Sequence, residues 1–234
     1  RLSPRRDKPL VPVNCAALTS TLAESQLFGH EKGAFTGAAG RSLGVFRAAE
    51  GGVVFLDAVG EMPLELQPQL LRVLQEGEVT PVGASHPVRV DVQVIAATNR
   101  NLEKEVEEGR FREDLFYRLN MVELHVPSLR QRAEDIPEFI RYFAKKYAVK
   151  YNRPVWEPDE NVLREFSEYR WPGNVRQLSH VIEQAYVLDC TPSLPGQSIE
   201  QDRTHSLPFT DLAKLRRTAV QQAMQATRGH RGRA

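Results

Sequence analysis

Cysteine is scarce in this chain of 234 residues, and long apolar runs are missing altogether. The two cysteines, Cys15 and Cys190, lie in apolar or helical contexts and cannot form a disulfide framework, which favours a reduced, cytoplasmic protein. The apolar run at residues 53–56 is far too short to cross a bilayer. No apolar segment of signal-peptide length follows the basic N-terminus. The sequence therefore predicts no membrane partner.

An excess of charge of one sign is also absent. The formal net charge is +1, so the whole chain gives no argument for a strongly basic nucleic-acid binder, and any DNA contact must be local. Hydrophobic residues make up 41% and charged residues 26%, which is ordinary for a soluble globular protein.

Short apolar runs alternate with helical patterns in the first half of the chain. The runs, each of strand length, lie at residues 10–15, 53–57, 92–97 and 122–126. Helical patterns lie between these runs, at residues 18–28, 42–50, 64–76 and 102–108, and the last of them is charged. Residues 78–91 alternate around Pro81, Gly83 and Pro87, which suggests a hairpin-like insertion. This alternation predicts an α/β domain with a mostly parallel sheet.

After Arg132 the strand patterns stop. Three amphipathic helical patterns follow and predict a small helical subdomain, which ends near residue 190. Residues 191–208 contain three prolines and indicate a linker. A last helical pattern, residues 209–227, precedes a basic end.

Asp57 ends the second apolar run and is the first candidate for chemistry. A carboxylate at the carboxyl end of a buried parallel strand has the form of a Walker B element, because open α/β sheets bind ligands at that edge and Mg²⁺ prefers carboxylates with retained waters. The alternative is that Asp57 caps the following helix.

The segment Gly33-Ala34-Phe35-Thr36-Gly37-Ala38 presents one aromatic ring among glycines and small residues. Such a loop suits contact with a partner, since its backbone is mobile and an apolar ring lies at its tip. The alternative is a turn whose Phe packs into the core. Composition does not decide between a loop that contacts a partner and a turn with a buried Phe.

These motifs together resemble the sigma-54-dependent transcription activators of the AAA+ family, whose signature is GAFTGA. The resemblance runs from about residue 14 to residue 187. An ordered set of further matches makes it specific: Leu27-Phe28-Gly29-His30-Glu31-Lys32, Gly51-Gly52-Val-Val-Phe-Leu-Asp57, Ala96-Ala-Thr-Asn-Arg100, Phe111-Arg112-Glu-Asp-Leu-Phe-Tyr-Arg118-Leu and Trp171-Pro-Gly-Asn-Val-Arg176.

The resemblance implies a site for ATP and Mg²⁺. Asp57 would position Mg²⁺ and water, and Thr98 and Asn99 would be sensor I, which reports the γ-phosphate. Arg176 would be sensor II on a helical lid. Asn14 matches a switch residue that normally holds a catalytic Glu.

The resemblance also implies partners. Arg112 and Arg118 fit arginine fingers that reach a neighbouring subunit's site, which implies a ring, usually a hexamer. The GAFTGA loop would contact the sigma-54 RNA polymerase holoenzyme through Phe35 and Thr36, with contact residues Gly33, Ala34, Phe35, Thr36, Gly37 and Ala38. The implied layout is a partial AAA+ α/β core at 1–130, a helical lid at 131–190, a linker at 191–208 and the start of a helix-turn-helix domain at 209–234.

Three departures from the family pattern bear on whether this chain can bind and hydrolyse ATP and bind DNA. The 234 residues contain no G-x-x-x-x-G-K-[ST] sequence, and the resemblance places that loop, with a central strand, just upstream of Arg1. Ala58 stands where the family has the Glu that orients the attacking water. Residues 209–234 resemble only the first helix of that DNA-binding domain and the start of its turn, so we expect enhancer DNA to be bound only by a longer parent protein.

We therefore expect a fragment of a longer protein, and we expect that even the full-length parent binds ATP but hydrolyses it poorly. The alternative is a catalytically decayed, non-enzymatic AAA+ interaction protein that keeps the loop or the ring surface. Ala58 and the missing phosphate loop favour that alternative. The intact GAFTGA argues against a third possibility, an AAA+ remodelling protein that acts on a partner other than sigma-54.

Overall fold

The computed structural model describes residues 2–18 and 20–196. Within that part, the chain forms two compact units that divide between Leu124 and His125. The predicted helix at 209–227, and the part of the predicted linker beyond residue 196, lie outside the described residues.

A parallel sheet forms the centre of the first unit. The strands of this unit are β1 (Leu10–Asn14), β2 (Val53–Asp57), β3 (Glu78–Val79), β4 (Val88–Arg89) and β5 (Gln93–Ala96). Three of them form the sheet in the order β1-β2-β5, with every pairing parallel. The register places Asn14 opposite Asp57 and Leu56 opposite Ala96. The three strands therefore end at one edge of the sheet, which we call the carboxyl edge.

Helices follow or separate these strands; the sequence predicted the first four of them but not the fifth. They are α1 (Ser20–Phe28), α2 (Gly44–Ala48), α3 (Gln67–Glu76), α4 (Leu102–Glu107) and α5 (Glu113–Leu119). Pro68 lies in the first turn of α3, where its missing N–H costs nothing, and Gly77 ends that helix in the left-handed conformation. The fully buried side chains of Phe28, Phe46 and Leu70 join the sheet in one core.

The hairpin-like insertion predicted at residues 78–91 is present. β3 and β4 pair antiparallel, with Glu78 opposite Arg89 and Val79 opposite Val88. Its tip reaches the GAFTGA segment, because Glu31 donates its N–H to the carbonyl of Val82 at 3.0 Å.

The strand predicted at residues 122–126 does not form. Those residues have no regular secondary structure, and Val122, Leu124 and Val126 are 80%, 86% and 76% exposed. An apolar run becomes a strand only when a neighbouring strand takes up its backbone N–H and C=O groups. None of the described strands pairs with this run.

The second unit is helical, as predicted from the loss of strand patterns. It contains α6 (Ile136–Tyr151), α7 (Glu160–Glu168) and α8 (Asn174–Leu188). Asp159 caps α7 by accepting the N–H of Val162 at 2.8 Å. Trp171 is almost fully buried and donates its indole N–H to the carbonyl of Phe166 at 2.7 Å, so its polar atom is satisfied inside the core. Across the described residues, no helix is both long and apolar enough to cross a membrane.

Candidate functional site

The carboxyl edge gathers polar side chains that follow three neighbouring strands. Asn14 ends β1 and Asp57 ends β2 directly opposite it, while Thr98 and Asn99 follow β5. All four side chains are exposed. Parallel pairing brings them to one edge although up to 85 residues separate them along the chain. The structure thus assembles most of the predicted nucleotide site on one unit.

Asp57 does not cap a helix. One of its carboxylate oxygens accepts the N–H of the next residue, Ala58, at 3.0 Å. Ala58, and not Asp57, precedes the short 3-10 turn Val59–Glu61, and α3 begins only at Gln67. The helix-cap interpretation is therefore wrong, and the carboxylate remains open to solvent at the sheet edge.

Ala58 lies in the left-handed region, with φ 54° and ψ 44°. This conformation turns the chain sharply, so that Val59 donates its N–H to the carbonyl of Ala97 at 2.9 Å. The turn also packs on Thr98, since a Cβ added to Gly60 would lie 2.9 Å from the Thr98 hydroxyl. At the position where the resemblance places a water-orienting Glu, the site holds a methyl group.

Arg100 ties the end of β5 to its surroundings. Its N–H donates to the Thr98 hydroxyl at 3.0 Å, which leaves that side chain engaged in the local turn. Its guanidinium pairs with Glu61, from the turn after β2, and with Glu105 of α4 at 3.1 Å. Residues 98–100 are thereby held by the turn after β2 and by α4.

Glu105 is a functional candidate that the sequence did not reveal. It is 8% exposed, and its carboxylate accepts two hydrogen bonds from Arg110, at 2.7 and 2.9 Å, beside the pair with Arg100. Hydrogen bonding to Arg110 first, and then to Arg100, lowers the pKa of Glu105 to about 2, although burial acts in the opposite direction. The sequence showed only a charged helix here, with no sign of which carboxylate was buried.

The lowered pKa of Glu105 predicts a pH dependence of stability. Because the folded pKa lies near 2 and the ordinary value is 4.5, the ion pair stabilises the fold above pH 4.5 and that contribution is lost as the pH falls towards 2. We expect Glu105→Gln to lower the free energy of unfolding at pH 6, with the difference from the native chain shrinking between pH 5 and pH 2.5. Denaturant unfolding across that range measures it.

Glu103→Gln provides the matched control, since Glu103 is an exposed carboxylate on the same helix. Its unfolding curve should follow the native one at every pH. A difference between Glu105→Gln and the native chain that stays constant with pH would contradict the assignment.

The two candidate finger arginines are bound within their own unit. Arg112, which precedes α5, pairs with Asp114 through two hydrogen bonds at 3.0 and 2.7 Å. Arg118, in the last turn of α5, donates twice to the carbonyl of Leu74 near the end of α3, at 3.1 and 2.7 Å. Among the described residues, the guanidinium hydrogen bonds of the two arginines are therefore with Leu74, Asp114 and Met121, and not with the polar residues of the carboxyl edge.

The GAFTGA loop (residues 33–38) has a firm base. His30 and Ser42 exchange backbone hydrogen bonds at 3.1 and 2.9 Å, and Glu31 pairs with Arg41 at 3.2 Å. Gly33 donates its N–H to the carbonyl of Ala38 at 2.9 Å, which closes the loop. The residues before and after the loop are thus bonded to each other at its base.

The tip of the loop is partly exposed, and two of its side chains contact neighbouring residues. Gly33 and Gly37 have φ of 82° and 103°, with no atom within 4 Å of an added Cβ, so both glycines are needed for backbone conformation rather than for space. The half-buried Phe35 ring packs edge-on against His30, with ring centroids 5.0 Å apart, and is not part of the core. Thr36 is exposed. Ala34 lies against the hairpin, since a Cβ on Gly83 would come within 2.8 Å of its own Cβ.

Arg176 belongs to the second unit. It lies in the first turn of α8 and is exposed. The start of that helix is held by Asn174, whose side-chain oxygen accepts the N–H of Leu129 at 2.8 Å. The predicted sensor II residue is therefore presented from an ordered helix end.

A magnesium ion bound through water fits the donors at the carboxyl edge. No group of three or more His, Cys, Asp or Glu side chains that could hold a metal directly occurs in the part of the chain that the structure describes. Mg²⁺ in nucleotide sites commonly takes one or two carboxylates, with waters and phosphates as its other ligands. The single carboxylate of Asp57 is enough to be the protein ligand of such an ion.

Known proteins match this chain along most of its length. Residues 1–125 match the family described as the sigma-54 interaction domain, and residues 130–211 match the AAA+ ATPase lid domain. The DNA-binding transcriptional activator HyfR of Escherichia coli is 48% identical over 97% of this chain and 34% of its own length. The DNA-binding transcriptional regulator NtrC of Rhizobium meliloti is 46% identical over 90% of this chain and 43% of its own length. The chain thus spans less than half the length of these relatives.

Solved structures agree with the fold. A crystal structure of NtrX from Brucella abortus in complex with ATP is 32% identical, with a TM-score of 0.73, and covers 94% of this chain and 50% of the NtrX chain. Another NtrX structure, in complex with ADP, has the same TM-score of 0.73 at 36% identity over 84% of this chain and 42% of that one. The parallel sheet with its helices, the helical second unit and the family match together show that this chain belongs to the sigma-54 interaction domain family of AAA+ proteins, the family of the sigma-54-dependent transcription activators.

Proposed function

We propose that this chain is the central module of a cytoplasmic sigma-54-dependent transcription regulator, which couples ATP binding and hydrolysis to remodelling of the sigma-54 RNA polymerase so that promoter DNA opens. One observation carries the proposal: a single unit holds both the closed GAFTGA loop and the carboxyl edge with Asp57 and Asn99. A chemical site and a partner-contacting loop on one unit are what a coupling function requires.

ATP with Mg²⁺ is the proposed ligand. Asp57 would hold the ion through water, Thr98 and Asn99 would face the γ-phosphate, and Asn14 would act as the switch beside Asp57. Arg176, in the second unit, would be the sensor II residue. NtrX, which shares the fold, has been crystallised with ATP and with ADP.

The proposed assembly is a ring of identical chains, usually a hexamer. Arg112 and Arg118 would act on the nucleotide of the neighbouring subunit, where a guanidinium stabilises the charge that develops on the transferred phosphoryl group. To do so, each must leave its present partner, Asp114 or the carbonyl of Leu74. Enhancer DNA would be bound by other parts of a longer protein.

A second candidate is a non-enzymatic interaction protein with the same loop. The methyl group of Ala58 favours it, because alanine cannot orient an attacking water. Such a protein would bind sigma-54 without any dependence on nucleotide.

Binding of purified sigma-54 to the chain with a relative's phosphate loop joined before Arg1, measured by biolayer interferometry, separates the two candidates. The titration is run with Mg²⁺ and ATP, with Mg²⁺ and ADP, and with no nucleotide. Affinity that changes with the nucleotide supports the coupling function. Equal affinity in all three supports the interaction protein, and no binding in any of them overturns both.

A further inference from the structure

A buried glutamine begins α3. Gln67 is 0% exposed, and it is one of three buried polar side chains in the described residues, with Ser25 and Glu105. Burial of a primary amide is unfavourable unless its donors and acceptor are satisfied. The partners of Gln67 therefore show what it is there to hold.

The amide of Gln67 makes three hydrogen bonds to backbone groups from two other segments. Its Nε2 donates to the carbonyl of Met62 at 3.0 Å and to the carbonyl of Arg110 at 3.1 Å. Its Oε1 accepts the N–H of Arg112 at 2.8 Å. Both donor hydrogens and the acceptor are thus used.

These partners lie at functionally different places. Met62 ends the turn that follows Asp57 and Ala58, and this turn is bonded to the end of β5 through Val59 and Ala97. Arg110 and Arg112 lie immediately before α5, the helix that ends with Arg118. Gln67 therefore joins the carboxyl edge to the segment that presents the candidate finger arginines.

A second connection runs parallel to the first. Arg100, next to Asn99, pairs with Glu105, and Glu105 binds Arg110. Residues 110–112 are thus held from the carboxyl edge in two ways: the Gln67 amide bonds to their backbone, and the ion pairs hold the Arg110 side chain.

We propose that Gln67 is a positioning residue, which fixes the backbone of Arg112 to the turn after Asp57 so that the arginine moves together with the carboxyl edge. The catalytic part of this inference depends on the proposed function; the contact itself does not. Only an amide satisfies all three partners: a carboxylate would face two carbonyl oxygens, and an apolar side chain would leave three backbone groups unpaired.

Gln67→Met tests the contact by hydrogen exchange of single backbone amides, followed by NMR. Methionine keeps the length of the side chain but not its hydrogen bonds. We expect the Arg112 amide to exchange at least about tenfold faster, relative to the Val53 amide, which is bonded to Pro9 in the sheet. Gln75→Met, an exposed glutamine on the same helix, should leave both amides unchanged.

ATP kinetics test the positioning role. Because the phosphate loop sequence is absent from the 234 residues, kinetic variants carry such a loop from a relative joined before Arg1. Gln67→Met should lower kcat at least about tenfold while the Kd for Mg²⁺-ATP stays within about twofold, since a misplaced finger affects the transition state and not nucleotide binding.

Each outcome decides a separate point. Unchanged exchange at Arg112, or equally faster exchange at Val53, overturns the proposal, because the amide would then be a general stabiliser. A fall of kcat and affinity together overturns the positioning role in the same way. Absence of turnover in every variant, the native chain included, overturns the proposed function, and the exchange experiment still decides whether Gln67 holds Arg112.

Discussion

Replacing Phe35 with alanine should weaken binding of sigma-54 at least about 30-fold, the effect of losing an aromatic anchor worth about 2 kcal/mol at the centre of an interface. The ring lies in the closed GAFTGA loop and packs edge-on against His30, with the ring centroids 5.0 Å apart. It is outside the core cluster, and its loss should not change the stability of the fold. Biolayer interferometry with purified sigma-54 in the presence of Mg²⁺ and ATP gives the affinity.

Tyr142→Ala provides the matched control. Tyr142 is also a partly exposed aromatic residue, on α6 of the second unit, and is 60% exposed. Its removal should leave sigma-54 affinity unchanged, and thermal unfolding should show both variants folded. If Phe35→Ala binds as tightly as the native chain, the loop is not the contact surface.

Introducing the missing carboxylate, Ala58→Glu, should raise ATP turnover by about 10² to 10⁴, the usual contribution of a general base. Residue 58 directly follows Asp57, which lies opposite Asn14, the residue that the family resemblance assigns to hold this carboxylate. The left-handed backbone at this position already carries a Cβ, so glutamate adds no new backbone conformation. Steady-state Mg²⁺-ATP hydrolysis is measured over a range of protein concentrations, with a relative's phosphate loop joined before Arg1 in both proteins.

Ala58→Gly separates chemistry from backbone strain. Glycine adopts φ 54° without the steric cost that alanine bears, so this variant should be more stable by about 1 kcal/mol and no more active. Turnover that rises equally in the glycine and glutamate variants would mean that flexibility of the turn, rather than the carboxylate, limits hydrolysis. Unchanged turnover in Ala58→Glu would show that Ala58 is not the cause of weak activity.

Residues 122–126, which do not form the predicted strand, show that local composition does not determine strand pairing. Their apolar residues alternate with polar ones, a pattern that also suits a strand, yet they form none, whereas β2 forms because β1 and β5 take up its backbone groups on both sides. Residues 122–126 have no such neighbour among the described strands. Local composition states that a segment can be a strand, whereas pairing decides whether it is one.

Gln67 could have been singled out from its spacing. It occupies the apolar face of α3 with Leu70 and Leu74, a phase at which a polar residue must find partners. The pattern cannot name those partners, because Arg110 and Arg112 lie 43 and 45 residues further along the chain.

The sequence by itself determined the fold class, the three strands of the parallel sheet, four of the five helices of the first unit and the hairpin, since these depend on apolar periodicity and on glycine and proline at the breaks. It also placed Asp57 at the end of its strand and identified the family through motifs in order. Tertiary structure alone decided that Asn14 lies opposite Asp57, that Glu105 is buried between two arginines, and that Arg118 is held on the end of α3. The physical reason is that hydrogen bonds and ion pairs depend on which distant segments the packed core brings together, and a local pattern contains no such distances.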